Sequence, residues 1–328
     1  MSAFESLWFA GNFFVGESKL AMVTTRQLTT LALTRVTPGI GGSVQEYLWQ
    51  YQGQQFPVVY EILGQGAPVL LLPAFSTVST RSEMRGLAER LASQFQVVAL
   101  DWLGFGQSAR PALDYQPELY RRLLQDFVRA TFARPLAVVA AGHAAGYVMQ
   151  LALSQSAAWS QIVLVAPTWR GPLPTMGANP QLAGTVRQVV RSPLLGQALY
   201  YLNTRPSFLS LMYRRHVYVN AARVSAEFVE GKYQITQQPG ARFAPAAFVT
   251  GALDPVNDRS QFLAWFQSLS IPVMVVIGEQ SPPKSKAEME LLAEVPGVEI
   301  RRLPGSLGLH EENAADVADI IQPFLKEH

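Results

Sequence analysis

From residue 44 onward the chain alternates between two patterns. Short, fully apolar runs bounded by glycine and proline read as β-strands, and longer stretches with apolar residues three or four apart read as helices. Residues 44–51 and 57–63 are strand-like, and the Gln52-Gly53-Gln54-Gln55 between them reads as a hairpin. Residues 69–72 follow Gly64-Gln65-Gly66 as a continuous apolar run of the kind found in buried parallel strands. A helix is predicted over 83–93, a strand over 96–100, and a helix over 117–132 with Leu119, Leu123, Leu124, Phe127 and Val128 on one face. Then come a strand at 136–140, a helix at 145–155 and a strand at 162–165.

From 167 to about 270 the alternation stops, giving a stretch rich in Pro, Tyr, Arg and Leu with helical pieces and no clear strand. It resumes with strands at 272–277 and 298–303 and helices at 284–294 and 311–325. An antiparallel start, a βα alternation and one long insertion predict an α/β fold. Its mostly parallel, eight-stranded sheet carries helices on both faces, with core segments 45–166 and 271–328 and a helical cap at 167–270. Residues 1–44 form an appendage in which Phe4, Leu7, Trp8, Phe14 and Val15 fall near helical spacing. Such a helix packs on the core or a partner subunit, or rests on a membrane through residues 1–35. Trp8 and the phenylalanines favour the membrane, and the lack of a basic face opposes it.

Composition narrows the function. Hydrophobic residues make up 49% of the 328 residues and charged ones only 15%, enough for a large core with apolar surface left for a pocket, a dimer face or a membrane contact. The net charge of +2 is mild and the basic residues are scattered, which argues against nucleic acid. The absence of cysteine excludes disulfides, a thiol nucleophile and thiolate metal sites, and fits a reducing, cytoplasmic setting. The apolar run 7–16 is too short for a span of about 20 residues, and no basic region precedes it as in a secretory signal. No metal or cofactor is expected: there is no H-x-x-x-H, no dense acidic group, and no glycine-rich loop with P-loop or dinucleotide spacing.

The chemistry-bearing segment is Gly142-His143-Ala144-Ala145-Gly146, a glycine-flanked turn between a strand and a helix, in the setting of a G-x-S-x-G nucleophile elbow. Three further landmarks accompany it: Leu72-Pro73-Ala74-Phe75 after an early strand, Asp101-Trp102-Leu103-Gly104-Phe105-Gly106-Gln107-Ser108 after the next, and Gly308-Leu309-His310 after the last. Over residues 44–324 the chain thereby resembles the α/β-hydrolase superfamily, in the branch with haloalkane-dehalogenase-like and esterase-like members. The resemblance implies an oxyanion loop at Pro73-Ala74-Phe75, a D-x-x-G-x-G-x-S turn at 101–108 and a general-base histidine at His310. It implies oxyanion donors at the backbone N–H of Phe75 and Ala145, and a pocket under the cap that Trp169 helps to line.

The departures from that pattern decide the functional expectation. Ala144 stands at the central elbow position, and a methyl group cannot attack a carbonyl. The acid expected after strand 7 is Ser281, and the other known acid location, Ala166-Pro167-Thr168-Trp169, also lacks a carboxylate. The chain therefore reads as a pseudo-hydrolase that binds an apolar or ester-like small molecule, a protein partner or a second copy. The alternatives are an ester hydrolase or lyase that uses His310 with a displaced nucleophile such as Ser76, Thr77 or Ser79, and a serine hydrolase disabled by a Ser-to-Ala change at Ala144. His143 reads as packing beside the elbow, His216 as part of a solvated basic stretch, Asp101 as the organiser of its turn and Asp254 as a helix N-cap.

Overall fold

The apolar runs become eight strands of one sheet in a computed structural model that describes residues 39–327 except Ser156, Pro193 and Ser268. The proposed membrane-contacting stretch 1–35 lies outside the described residues. The strands are β1 (Ser43–Tyr51), β2 (Gln54–Leu63), β3 (Ala67–Leu72), β4 (Phe95–Leu100), β5 (Leu136–Ala141), β6 (Trp159–Val165), β7 (Val273–Gly278) and β8 (Val298–Leu303), in the spatial order β1-β2-β4-β3-β5-β6-β7-β8. β2 is antiparallel to β1 and to β4, and the remaining pairs are parallel. The hairpin turn is only Gln52-Gly53, both at positive φ (50° and 77°), with Tyr51 opposite Gln54. Two consecutive left-handed residues match the right-handed twist of the strands, so Gln54 and Gln55 join β2.

The helices in chain order are α1 (Arg85–Leu91), α2 (Pro117–Thr131) and α3 (Ala144–Ser154). Between β6 and β7 lie α4 (Pro172–Met176), α5 (Pro180–Arg191), α6 (Leu195–Asn203), α7 (Pro206–Met212), α8 (Ala226–Thr236), α9 (Phe243–Val249) and α10 (Arg259–Gln267), with no strand among the described residues there. After β7 come α11 (Pro283–Glu290), α12 (Leu309–Glu312) and α13 (Ala314–Glu327). Proline at the first turn opens α4, α5 and α7, where its missing N–H costs nothing. Asn179 and Ser225 cap α5 and α8 through the N–H groups of Leu182 and Phe228.

The period-2 alternation of the strands builds two cores. Val69, Leu71, Val97, Val139 and Val163 face α1 and α13, whose Leu87, Leu91, Val317 and Ile321 complete one cluster. Leu70, Leu72, Val98, Val138 and Ile162 face the other way, onto Leu119, Leu123 and Phe127 of α2 and Tyr147 and Leu151 of α3. Each fully buried aliphatic side chain contributes about 1.5–3 kcal/mol. Covering on both faces is why the central strands read as continuous apolar runs.

The turn after β4 is held by Asp101. Its carboxylate accepts from the N–H groups of Arg81 (2.6 Å) and Gln107 (2.7 Å) and pairs with the Arg81 guanidinium. Arg81 also donates to Glu61 (2.8 Å), whose oxygens accept from the N–H groups of Ile40, Gly41 and Gly42. Gly106, at φ 51°, leaves room for Asp101: a Cβ there would lie 2.0 Å from the carboxyl carbon. Asp101 thus has the organising role expected of it.

Candidate functional site at the strand 5 elbow

The left-handed residue of the elbow is Gly142 (φ 51°), which follows β5 directly. Ala144, expected at the apex, instead opens α3 and is fully buried, and His143 before it has helical dihedrals. The physical reason is the Cβ penalty on left-handed backbone: Gly142 escapes it and His143 and Ala144 do not. The apex therefore falls two residues earlier than the motif spacing suggests. A Cβ on Gly142 would stand 3.0 Å from the Ala74 Cβ and 4.0 Å from the Thr168 hydroxyl, so the apex faces the loop after β3 and the loop after β6. Ala145 N–H, an expected oxyanion donor, donates to Gly142 O (3.3 Å). The N–H groups of His143 and Phe75 donate to no described residue.

Phe75 is buried at the centre of an aromatic group. Its ring stacks on Trp102 (5.0 Å between centroids) and meets Tyr120 edge-on (4.9 Å), Phe105 (5.5 Å), Tyr147 (5.4 Å) and His143 (6.0 Å). Phe248 of α9 closes the group from the insertion, 5.3 Å from the His143 ring. Trp169, expected to line the pocket, packs against the insertion and α11. Its ring stacks on Phe262 of α10, and its indole N–H donates to Glu288 of α11 (3.2 Å).

His143 is buried, and its Nε2–H donates to Leu253 O (2.8 Å), a carbonyl that also accepts from the Tyr147 hydroxyl (2.7 Å). Nδ1 then carries the lone pair and has no partner. Asp254 Oδ1 lies 3.6 Å from Nε2 and accepts from Gly171 N–H (2.7 Å). Burial pushes the His143 pKa down to about 4, only partly offset by the Leu253 carbonyl. Burial pushes the Asp254 carboxyl up to about 7, against the lowering effects of Gly171 N–H and Arg170. A neutral imidazole forms no ion pair, so the 3.6 Å approach is proximity rather than a salt bridge at neutral pH. Asp254 is not an N-cap either: α10 starts at Arg259, and its capping carboxylate is Asp258, which accepts from Gln261 N–H (2.9 Å). Asp254 instead ties the turn before α10 to the loop after β6.

His310 lies within α12, buried, with Nε2 3.4 Å from Glu83 Oε2 and Nδ1 without a partner. Glu83 belongs to the short helical turn Arg81–Met84 that follows the loop after β3. Lys232 of α8 completes a buried cluster, 2.8 Å from Glu311 and 3.5 Å from Glu83, with its ammonium over the rings of Tyr213 and Phe228. Burial alone would lower the Lys232 pKa, but the Glu311 and Glu83 carboxylates outweigh it and hold it above the ordinary lysine value. Burial and the same two carboxylates raise the Tyr213 hydroxyl. Ser281 is buried next to Gly278, its hydroxyl unpartnered. Ser76 Oγ accepts from Val78 N–H, and Ser79 is fully buried.

The same C-terminal segment grips the insertion along its length. Ser306 Oγ donates to His216 O, Gly308 N–H donates to Val217 O, and Glu312 accepts from the N–H groups of Val219 and Asn220.

A profile described as the alpha/beta hydrolase family matches residues 69–320. The chain belongs to the alpha/beta hydrolase family. Its sheet superposes on an esterase of Thermogutta terrifontis at TM-score 0.67 with 19% identity, covering 87% of this chain and 99% of that one. It superposes on a haloalkane dehalogenase of Agrobacterium tumefaciens at 0.65 with 17% identity, covering 87% and 97%. In sequence it is 34% identical over 68 residues to a 2-hydroxy-6-oxo-6-(2'-aminophenyl)hexa-2,4-dienoic acid hydrolase of Metapseudomonas resinovorans, a match spanning 20% of this chain and 23% of that relative.

Within this family frame, sequence reasoning did not single out Glu83 or Lys232. They lie 227 and 78 positions from His310, and no local motif signals a contact of that range. It named Asp254 but gave it a different task.

Proposed function

We propose that this chain is a pseudo-hydrolase: a family member that binds an apolar or ester-like small molecule, or a partner, and does not cleave esters at the elbow. The observation that carries the reading is the elbow apex, Gly142, which has no side chain and so no nucleophile. The buried, unpartnered Ser281 supports it, because a serine cannot supply the carboxylate that orients a catalytic histidine.

Helical backbone and full burial at Ala144 weigh against a serine hydrolase disabled at that position. The test is hydrolysis of p-nitrophenyl esters over a range of acyl lengths by the protein itself, by Gly142→Ser, by Ala144→Ser and by His310→Ala. The expected result is no turnover above buffer in any of them. Turnover by the unaltered protein that His310→Ala abolishes would overturn the proposal, and so would activity gained by Ala144→Ser. Mass spectrometry of an organic extract of the purified protein is expected to show a co-purifying apolar molecule.

A further inference from the structure

The first part of the insertion has an unusual charge. Residues 167–226 contain seven arginines and no Asp, Glu or Lys, a formal charge of +7 in a protein whose total is +2. The rest of the chain therefore carries five net negative charges, so the charge is strongly polarised toward α4–α7 and the segment after them.

Helix α6 has no charged residue and is apolar on two sides. Gly196 and Tyr200, four apart, are buried. The opposite side presents Leu195, Ala198 and Leu202 at i, i+3 and i+7, with Leu194 just before it and Tyr201 beside Leu202. Leu194 is 85% exposed, Leu195 63% and Leu202 45%. An apolar helix face is normally covered, and here one of the two sides faces solvent. Arg205 follows the exposed stripe one turn on, its guanidinium 5.3 Å from the Tyr201 ring centre. Arg191 precedes it, held by Asp114.

Leucines at the tip, a tyrosine beside them and arginines at both ends match what an interfacial helix needs. The apolar side chains enter the acyl boundary, the aromatic ring sits at headgroup depth and the Arg205 guanidinium meets lipid phosphate. At nine residues α6 is too short to cross a bilayer, and among the described residues no helix is long and apolar enough to do so. It is the right size to lie in the surface plane. We propose that the exposed face of α6 docks this protein on an anionic phospholipid bilayer. The positive charge favours that occupant over a second copy, whose identical face would bring like charges together.

The experiment is flotation of the full chain with vesicles of phosphatidylcholine alone and of phosphatidylcholine mixed with phosphatidylglycerol, at low and high salt. Binding is expected on the mixed vesicles, weaker on the neutral ones, and reduced by salt. The double substitution Leu195→Ser/Leu202→Ser lowers partitioning at least about tenfold, and Arg205→Gln lowers it about fivefold. All three positions are exposed, so thermal unfolding of the variants should match the parent and separates lost docking from lost folding. Failure to float with either vesicle overturns the proposal. So does binding that the leucine substitutions leave unchanged, which would put the contact elsewhere, residues 1–35 included. A dimer in size-exclusion chromatography that these substitutions dissociate, without vesicle binding, assigns the face to a second copy and overturns it too.

Discussion

Replacing Asp254 with Asn should stabilise the protein at alkaline pH and leave it nearly unchanged in acid. In the folded protein the Asp254 carboxyl is pushed up to about 7 from an ordinary value of 3.8. A raised carboxyl has its full stabilising effect below the unfolded pKa and loses it as pH rises through the folded one. Stability should therefore fall between about pH 4 and pH 7 as the unfolded chain ionises first. At about 1.4 kcal/mol per pKa unit, the upper limit of that loss is about 4 kcal/mol. Asparagine is isosteric, remains neutral throughout, and keeps an oxygen to accept the Gly171 N–H bond.

The variant should gain up to about 4 kcal/mol over the parent at pH 8 and less than about 1 kcal/mol at pH 4. Urea unfolding of both proteins at several pH values between 4 and 8 measures the difference directly. A gap that does not change with pH, or an Asn variant less stable than the parent at pH 8, would show that Asp254 is ionised and well solvated in the folded state. His143 contributes with the opposite sign. Its pKa is lowered to about 4, so its contribution is present above the ordinary histidine value of 6.5 and is lost as pH falls toward 4. It is present in both proteins, and above pH 6.5, where the imidazole is neutral in both states, it does not enter their difference.

Three further perturbations test other parts of the structure. Lys232→Met removes the cation between Glu83 and Glu311 and should cost about 3–5 kcal/mol in urea unfolding, because two carboxylates stay buried without it; a loss under about 1 kcal/mol would mean that water reaches the cluster. Phe75→Ala empties the middle of the aromatic group and should cost about 3–5 kcal/mol, read as a lowered thermal midpoint. Gly106→Ala drives a methyl group into the Asp101 carboxylate at a left-handed backbone position and should cost at least about 2 kcal/mol; wild-type stability in this variant would remove Asp101 as the organiser of the turn.

The fold was legible because its signals are local. Strand alternation, the Gln52-Gly53 turn and the prolines and caps of the insertion each act within a few residues. The site was legible only where local chemistry governs it, as at Asp101. Gly142-His143-Ala144-Ala145-Gly146 carries glycines at both ends, so spacing alone marks its middle as the apex, whereas the backbone bends at the first residue that tolerates positive φ. Asp254 and Asp258 both precede α10, and only the observed helix start separates the cap from the tie to Gly171. The net charge of +2 hides the arginine-rich run 167–226, because the acidic residues that offset it lie elsewhere in the chain.

The fate of the C-terminal segment ties these observations together. In the resemblance to the wider superfamily, this segment exists to present a histidine to a nucleophile. Here its residues hold the insertion instead: Ser306 and Gly308 bond the backbone of 216–217, Glu312 accepts from 219 and 220, and Glu311 and His310 share with Glu83 the cluster that receives Lys232. A general base must lie within hydrogen-bond reach of the proton it takes. His310 instead turns Nε2 to Glu83, in a loop held by a buried lysine and by four hydrogen bonds to backbone groups of the insertion. Once the apex carries no nucleophile, nothing opposes recruiting the loop as an anchor. Rigid attachment of the insertion fits the docking proposed for its outer face, where α6 lies.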